Sequence, residues 1–133
     1  MESLLPLLLL ISITSVIGLT LRAKKGVIKK GSRFKISELE FGGKYGSRLT
    51  ILQFSTTFCS ECRTAKAIVK DVVKDYKEIS YVEVDAEANL DLVRRVDIRS
   101  TPTTIFLDAK GFEIARAKGA PKRDQLIKAI KAI

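Results

Sequence analysis

From Ser3 to Leu21 the chain runs for nineteen residues without a charge, and this run divides the sequence before any other feature is read. As a helix it would extend about 28 Å at 1.5 Å per residue, close to the hydrocarbon thickness of a bilayer. Pro6 falls in the first turns, where a helix tolerates it. A cleaved signal peptide is the rival reading. Against it, the residues before the run hold Glu2 and no Lys or Arg, and no small-residue cleavage motif follows. Immediately after the run come Arg22, Lys24, Lys25, Lys29, Lys30, Arg33 and Lys35, seven basic residues with no acidic one among residues 22–35. Basic flanks stay on the cytoplasmic side. The expectation is a single-pass membrane protein with its N-terminus outside and its domain facing the cytoplasm; an extracytoplasmic domain is the alternative. The organisation expected is a transmembrane anchor over 1–22, a basic juxtamembrane linker over 23–35 that can meet anionic lipid headgroups, and a globular domain over 36–133.

The net charge of +9 belongs mostly to that linker. Residues 36–133 carry seventeen basic and fourteen acidic residues, too balanced for a nucleic-acid face, which places its basic excess on the folded domain. No nucleic-acid partner is expected.

Within the domain, residues 36–47 show little pattern beyond loop glycines at 42, 43 and 46. From Leu49 the periodicity is clear. Leu49–Ser55 reads as a buried strand. Ala65, Ile68, Val69, Val72, Val73 and Tyr76 recur as one face of an amphipathic helix. Ile79–Asp85 reads as a second strand, and 90–96 as a short helix with Asn89 as its N-cap. Thr103–Leu107 and Phe112–Ala117 read as strands joined by a turn over 108–111. Pro121 is expected early in a closing helix striped by Leu126, Ile127, Ile130 and Ile133. The order is β-α-β-α-β-β-α, an α/β fold.

The chain holds two cysteines, Cys59 and Cys62, and no histidine or tryptophan. Without histidine, a Ser–His or Cys–His catalytic pair is excluded within one chain. Two thiols and no imidazole fall short of the four ligands of a zinc site; an iron–sulfur cluster bridged between two chains stays open. The CxxC pair lies between a strand and a helix. There the free N–H groups and the helix dipole favour the thiolate of Cys59, and Cys62, one turn on, can reach its sulfur. The pair can thus cycle between dithiol and disulfide, with Cys59 attacking and Cys62 resolving. Far along the chain, Ser100-Thr101-Pro102-Thr103 precedes a strand. Proline there marks a strand start or a special turn, and an X–Pro bond can be cis.

Three stretches, LTILQFSTTFCSEC with its helix, ISYVEVDAEANLDLVRRVDIRSTPTTIFLD, and GFEIARAKGAPKRDQLIKAI, together resemble the thioredoxin family over roughly residues 48–133. The whole, with its apolar start, is similar to membrane-tethered thioredoxin-like proteins of actinobacteria. The resemblance implies a central mixed sheet flanked by helices, a cis Pro102 opposite the dithiol, and a peptide groove around Phe58, Cys59, Thr101, Pro102 and Gly119. The chain also departs from the family. Phe58 and Glu61 stand where thioredoxins proper have Trp and Pro in WCGPC. The family's buried Asp falls on Gln53, which cannot accept a proton as a carboxylate does, and its partner Lys aligns near Tyr81. Glu61 places a negative charge by the thiolate, which raises the expected pKa of Cys59; Arg63 and Lys66 are candidates to offset it. Gln53 reads equally as a satisfied core amide and as an auxiliary catalytic group.

The function expected is thiol–disulfide exchange on protein disulfides at the membrane surface, with no cofactor of its own. Electrons would come from a thioredoxin-reductase-like or membrane partner. The alternatives are a dedicated electron relay to one membrane partner and a non-catalytic thioredoxin-fold binding module.

Overall fold

In the computed structural model, residues 4–31 and 34–133 are described. Ser3, which opens the apolar run, and Arg33, within the basic run, lie outside the described residues. The chain begins with α1 (Leu4–Lys24), a helix with no buried residue that is long and apolar enough to cross a membrane, a property it shares with signal sequences.

Beyond α1 lies one five-stranded mixed sheet in the order β1-β5-β4-β2-β3. Its strands are β1 (Ile28–Lys30), β2 (Leu49–Ser55), β3 (Ile79–Asp85), β4 (Thr103–Asp108) and β5 (Glu113–Lys118). The centre is β2, parallel to β3 and antiparallel to β4. Every residue of β2 is buried, as a continuous apolar run in a central strand requires. Its alternation sends Leu49 and Ile51 to one face, where they pack with Val69 and Val72 of α3 (Ser60–Val73) and Leu126 and Ile130 of α5 (Arg123–Ala132). Leu52 and Phe54 point to the other face, toward Phe41 of α2 (Glu38–Phe41) and Leu92 of α4 (Leu90–Arg95). The fold is thus a helix–sheet–helix sandwich of the thioredoxin type, as expected.

Two elements were not anticipated. Ile28–Lys30, inside the stretch read as a linker, pairs antiparallel with Ala115–Ala117 of β5 and forms the sheet edge. Residues 38–41 form α2. Its start is a capping box: the Ser37 backbone N–H and hydroxyl donate to Glu40 Oε2 at 2.7 and 2.9 Å. Its end is Gly42 at φ 70°, in the left-handed region.

Two local expectations change. Asn89 occupies the N-cap of α4 without a side-chain capping bond; its Nδ2 donates instead to the Asp85 carbonyl at 2.8 Å. Pro121 precedes α5 and its N-cap, Lys122, rather than opening the helix. The β4–β5 connection is the expected turn, held by Asp108 Oδ1, which accepts from the N–H groups of Lys110 and Phe112 at 2.9 and 3.0 Å.

Candidate active site

Strand register assembles the site. Phe54 of β2 lies opposite Thr103 of β4, and Thr103 lies opposite Lys118 of β5. The residues just past those pairs therefore meet at one end of the sheet. Thr56 follows β2, Thr101 and Pro102 precede β4, and Gly119 follows β5. The contacts agree: Thr56 Oγ1 lies 3.4 Å from Thr101 Oγ1, and the Gly119 N–H donates to the Pro102 carbonyl at 2.8 Å. The Thr101–Pro102 bond is cis. Gly119 sits at φ 85°, in the left-handed region, so the position favours glycine by conformation.

The same end of β2 delivers the cysteines. Cys59 is the N-cap of α3, in extended conformation, and its Sγ accepts the Cys62 N–H at 3.1 Å. The two cysteines form a disulfide with Cα atoms 5.2 Å apart. Cys59 is half-buried, while Cys62 is 3% exposed. A helix N-terminus stabilises negative charge, so the less buried cysteine is also the one the helix favours as a thiolate. Phe58, next to it in the chain, is 97% exposed.

Below Cys62 lies a polar cluster. Gln53 is fully buried. Its Nε2 donates to the Cys62 carbonyl and to Ser55 Oγ, each at 2.9 Å. Its Oε1 accepts from Tyr81 Oη at 2.9 Å. The amide is therefore satisfied at both ends, and it ties β2 to the first turn of α3. Burial, and then the charge of Glu83, push the Tyr81 hydroxyl well above its ordinary pKa, so it remains a donor at any physiological pH.

Glu61 turns toward the loop after β5, where its Oε1 accepts from the Ala120 N–H at 3.4 Å. Among the described residues no ion pair joins it to Arg63 or Lys66: Arg63 is exposed, and Lys66 pairs with Glu83 at 3.3 Å. Also among the described residues, no group of three or more His, Cys, Asp or Glu side chains is placed to hold a metal ion.

A cleft of about 290 Å³ opens beside Thr101 and Gly119, with Glu61 on its wall. Leu21, Lys24 and Lys25, from the end of α1 and the residue after it, line the same cleft. Sequence reading had no signal for this: those residues are far from the cysteines along the chain, and only the β1–β5 pairing brings them together. Tyr81 had one signal, the alignment of the family's partner Lys near it; in the parallel β2–β3 register it lies opposite Ile51, with Glu83 opposite Gln53.

Residues 36–132 match the model of the Thioredoxin family. Thioredoxin H2-1 of Oryza sativa subsp. japonica is 26% identical over 110 residues, covering 83% of this chain and 78% of that protein. Thioredoxin H5 of the same organism is 35% identical over 60 residues, covering 45% of this chain and 44% of that protein. Among solved structures, thioredoxin-2, a component of the malaria parasite protein secretion machinery, superposes with a TM-score of 0.62 at 25% identity, over 79% of this chain and 98% of the other. The chain belongs to the thioredoxin family, and its paired cysteines make it a thiol–disulfide oxidoreductase.

Proposed function

We propose that the chain exchanges disulfides with other proteins at a membrane surface, with Cys59 as the attacking thiol and Cys62 as the resolving one. The observation that carries this reading is the exposure difference within the Cys59–Cys62 pair at the N-terminus of α3. Cys59 is the residue more open to a partner, and Cys62 is held a single turn away.

In the reducing direction the Cys59 thiolate attacks one sulfur of a substrate disulfide. A Cys59–substrate disulfide forms and one substrate thiolate leaves. Cys62 then loses its proton and attacks Cys59 Sγ, which closes the intramolecular disulfide and releases the second substrate thiolate. Two electrons pass from the cysteine pair to the substrate, and two protons end on its thiols. A dithiol reductase, soluble or membrane-borne, restores the pair. Phe58 and Thr101 flank the approach, Pro102 and Gly119 supply the groove's backbone edge, and Gln53 positions Cys62 through its carbonyl. Glu61 adds the carboxylate nearest the pair in the groove wall, and Arg63 adds an exposed cation on the same helix. In this reading α1 is retained as a single transmembrane span, and the basic flank keeps the domain on the cytoplasmic side.

The test is turnover of insulin disulfides by the full chain in detergent, with a small-molecule dithiol as the electron donor. Cys59→Ser abolishes it, and Cys62→Ser traps a mixed disulfide through Cys59. Full turnover by Cys59→Ser would overturn the proposal.

A further inference from the structure

We infer that the groove beside Cys59 faces the bilayer and that its substrates are disulfides of membrane proteins lying at headgroup depth. This rests on reading α1 as a retained span and Cys59–Cys62 as the exchanging pair.

The connection between α1 and the sheet is short. Helix α1 continues unbroken to Lys24, and only residues 25–27 separate it from β1. That connection is fastened rather than loose. Gly26 is buried, and its N–H donates to the Lys118 carbonyl at 2.7 Å, one residue before Gly119. At φ 73° it occupies the left-handed region, and a Cβ there would lie 2.1 Å from the Ala120 carbonyl oxygen. Backbone at Gly26 is thus packed directly against the 119–120 loop that edges the groove.

The second step is depth. Leu4–Leu21 is the uncharged part of α1, and its eighteen residues extend about 27 Å, nearly the thickness of the hydrocarbon layer. Leu21 therefore marks the hydrocarbon edge, and Lys24 lies about 5 Å beyond it, among the headgroups. Both line the cleft that holds Thr101, Gly119 and Glu61. The end of the span is one wall of the groove, so a segment that reaches Cys59 along Thr101 and Gly119 runs beside the membrane surface.

A flexible tether would raise the local concentration of any surface-bound substrate. The arrangement here asks for more: it fixes the height at which a disulfide can be met. A disulfide within a few residues of a transmembrane helix fits, whereas one held far from the bilayer has to reach back under the domain.

The experiment uses the full chain in phosphatidylcholine vesicles, reduced beforehand to the Cys59/Cys62 dithiol with a small-molecule dithiol that is then removed, so that each chain supplies two electrons. Three probes carry the same disulfide-bridged peptide. One is soluble, one is joined to a transmembrane peptide by about two residues, and one is joined to it by a flexible Gly/Ser spacer of about thirty. The two anchored probes share the membrane and differ in depth. The near probe should be reduced about tenfold faster than the spaced one, a preference that a flexible tether does not supply. Inserting a flexible Gly/Ser segment between Lys24 and Lys25 should reduce that preference to less than about threefold. Equal rates for the near and spaced probes, with the soluble probe still turned over, would overturn this inference and leave the oxidoreductase reading standing. Reduction of none of the three would overturn both. Recovery of the protein from cells as a soluble chain cut after α1 would overturn the inference and the membrane placement of the proposed function, and leave exchange through Cys59 and Cys62 standing.

Discussion

Gln53 offers a quantitative test of the polar cluster under the cysteines. Its side chain is fully buried, with Nε2 donating to the Cys62 carbonyl and Ser55 Oγ and Oε1 accepting from Tyr81. Gln53→Glu keeps the length and replaces the donor nitrogen with oxygen. A protonated Glu can still donate one bond to the Cys62 carbonyl. An ionised one sets a charge 2.9 Å from that carbonyl oxygen, inside the sheet–helix layer. Burial thus favours the neutral form in the folded state. The sign follows from linkage. A carboxyl whose folded pKa is raised costs nothing at low pH, where both states hold the proton. Between its unfolded and folded pKa values the folded state binds more protons, so stability falls as pH rises, and it levels off above the folded value. A hundredfold shift in the ionisation equilibrium corresponds to about 3 kcal/mol. Gln53→Glu should match the wild type within about 1 kcal/mol near pH 4 and lose about 3 kcal/mol near pH 7. Gln53→Met removes all three bonds and should cost about 2 kcal/mol independently of pH. Urea titration of the detergent-solubilised full chain, followed by circular dichroism at several pH values, reads both. A Gln53→Glu deficit that does not change with pH would mean that the side chain reaches water, and the account of the cluster would fail.

Two further outcomes follow from charges elsewhere. The Glu113 side chain is completely buried and accepts from Arg116 Nε and Nη2 at 2.6 and 3.1 Å, so Arg116→Ala strands a buried carboxylate and should cost about 3–5 kcal/mol in urea titrations. Glu113→Leu combined with Arg116→Met should recover most of that loss. The hydrogen bond from Lys74, and then that from Arg123, hold Asp71 down to about 2; the stability this contributes is present above the carboxyl's ordinary value of 3.8 and is lost as pH falls toward 2. Asp71→Asn should therefore flatten the acid arm of the stability profile between about pH 4 and pH 2, with a deficit on the neutral side that is small because the pair is exposed and that closes as the two proteins converge near pH 2.

The sequence was most legible where an element buries a long periodic face. Strands β2 to β5 and helices α3 and α5 all carry such faces, and their order was readable from Leu49 onward. The two elements that escaped are short. Helix α2 has four residues, too few for periodicity, although Ser37 and Glu40 at capping-box spacing were a usable signal. Strand β1 is Ile-Lys-Lys, which reads as part of a basic run; it becomes a strand only because the edge of β5 is there to pair with it. At the site, the cysteines and the Thr101–Pro102 step were legible because each has a local chemical signature. The two readings of Gln53 could not be separated without its partners. The structure supplies them in Tyr81, Ser55 and the Cys62 carbonyl, and shows a satisfied amide that meets Cys62 through its backbone. Glu61 was read as a charge acting on the thiolate, with Arg63 and Lys66 to offset it. In the structure Glu61 accepts from the Ala120 N–H and lines the same cleft as the end of α1, a proximity that no spacing along the chain encodes.

The central claim is that Cys59 and Cys62 act as one redox couple. Its most direct test is equilibration of the full chain, in detergent, against graded ratios of reduced and oxidised thiol buffer, followed by alkylation of free thiols and mass measurement. The account predicts that the two cysteines change state together in a reversible transition fitted by a two-electron couple, with about 30 mV per tenfold change in ratio. If the thiols are alkylated independently of one another, or no intramolecular disulfide forms at any ratio, the account is contradicted.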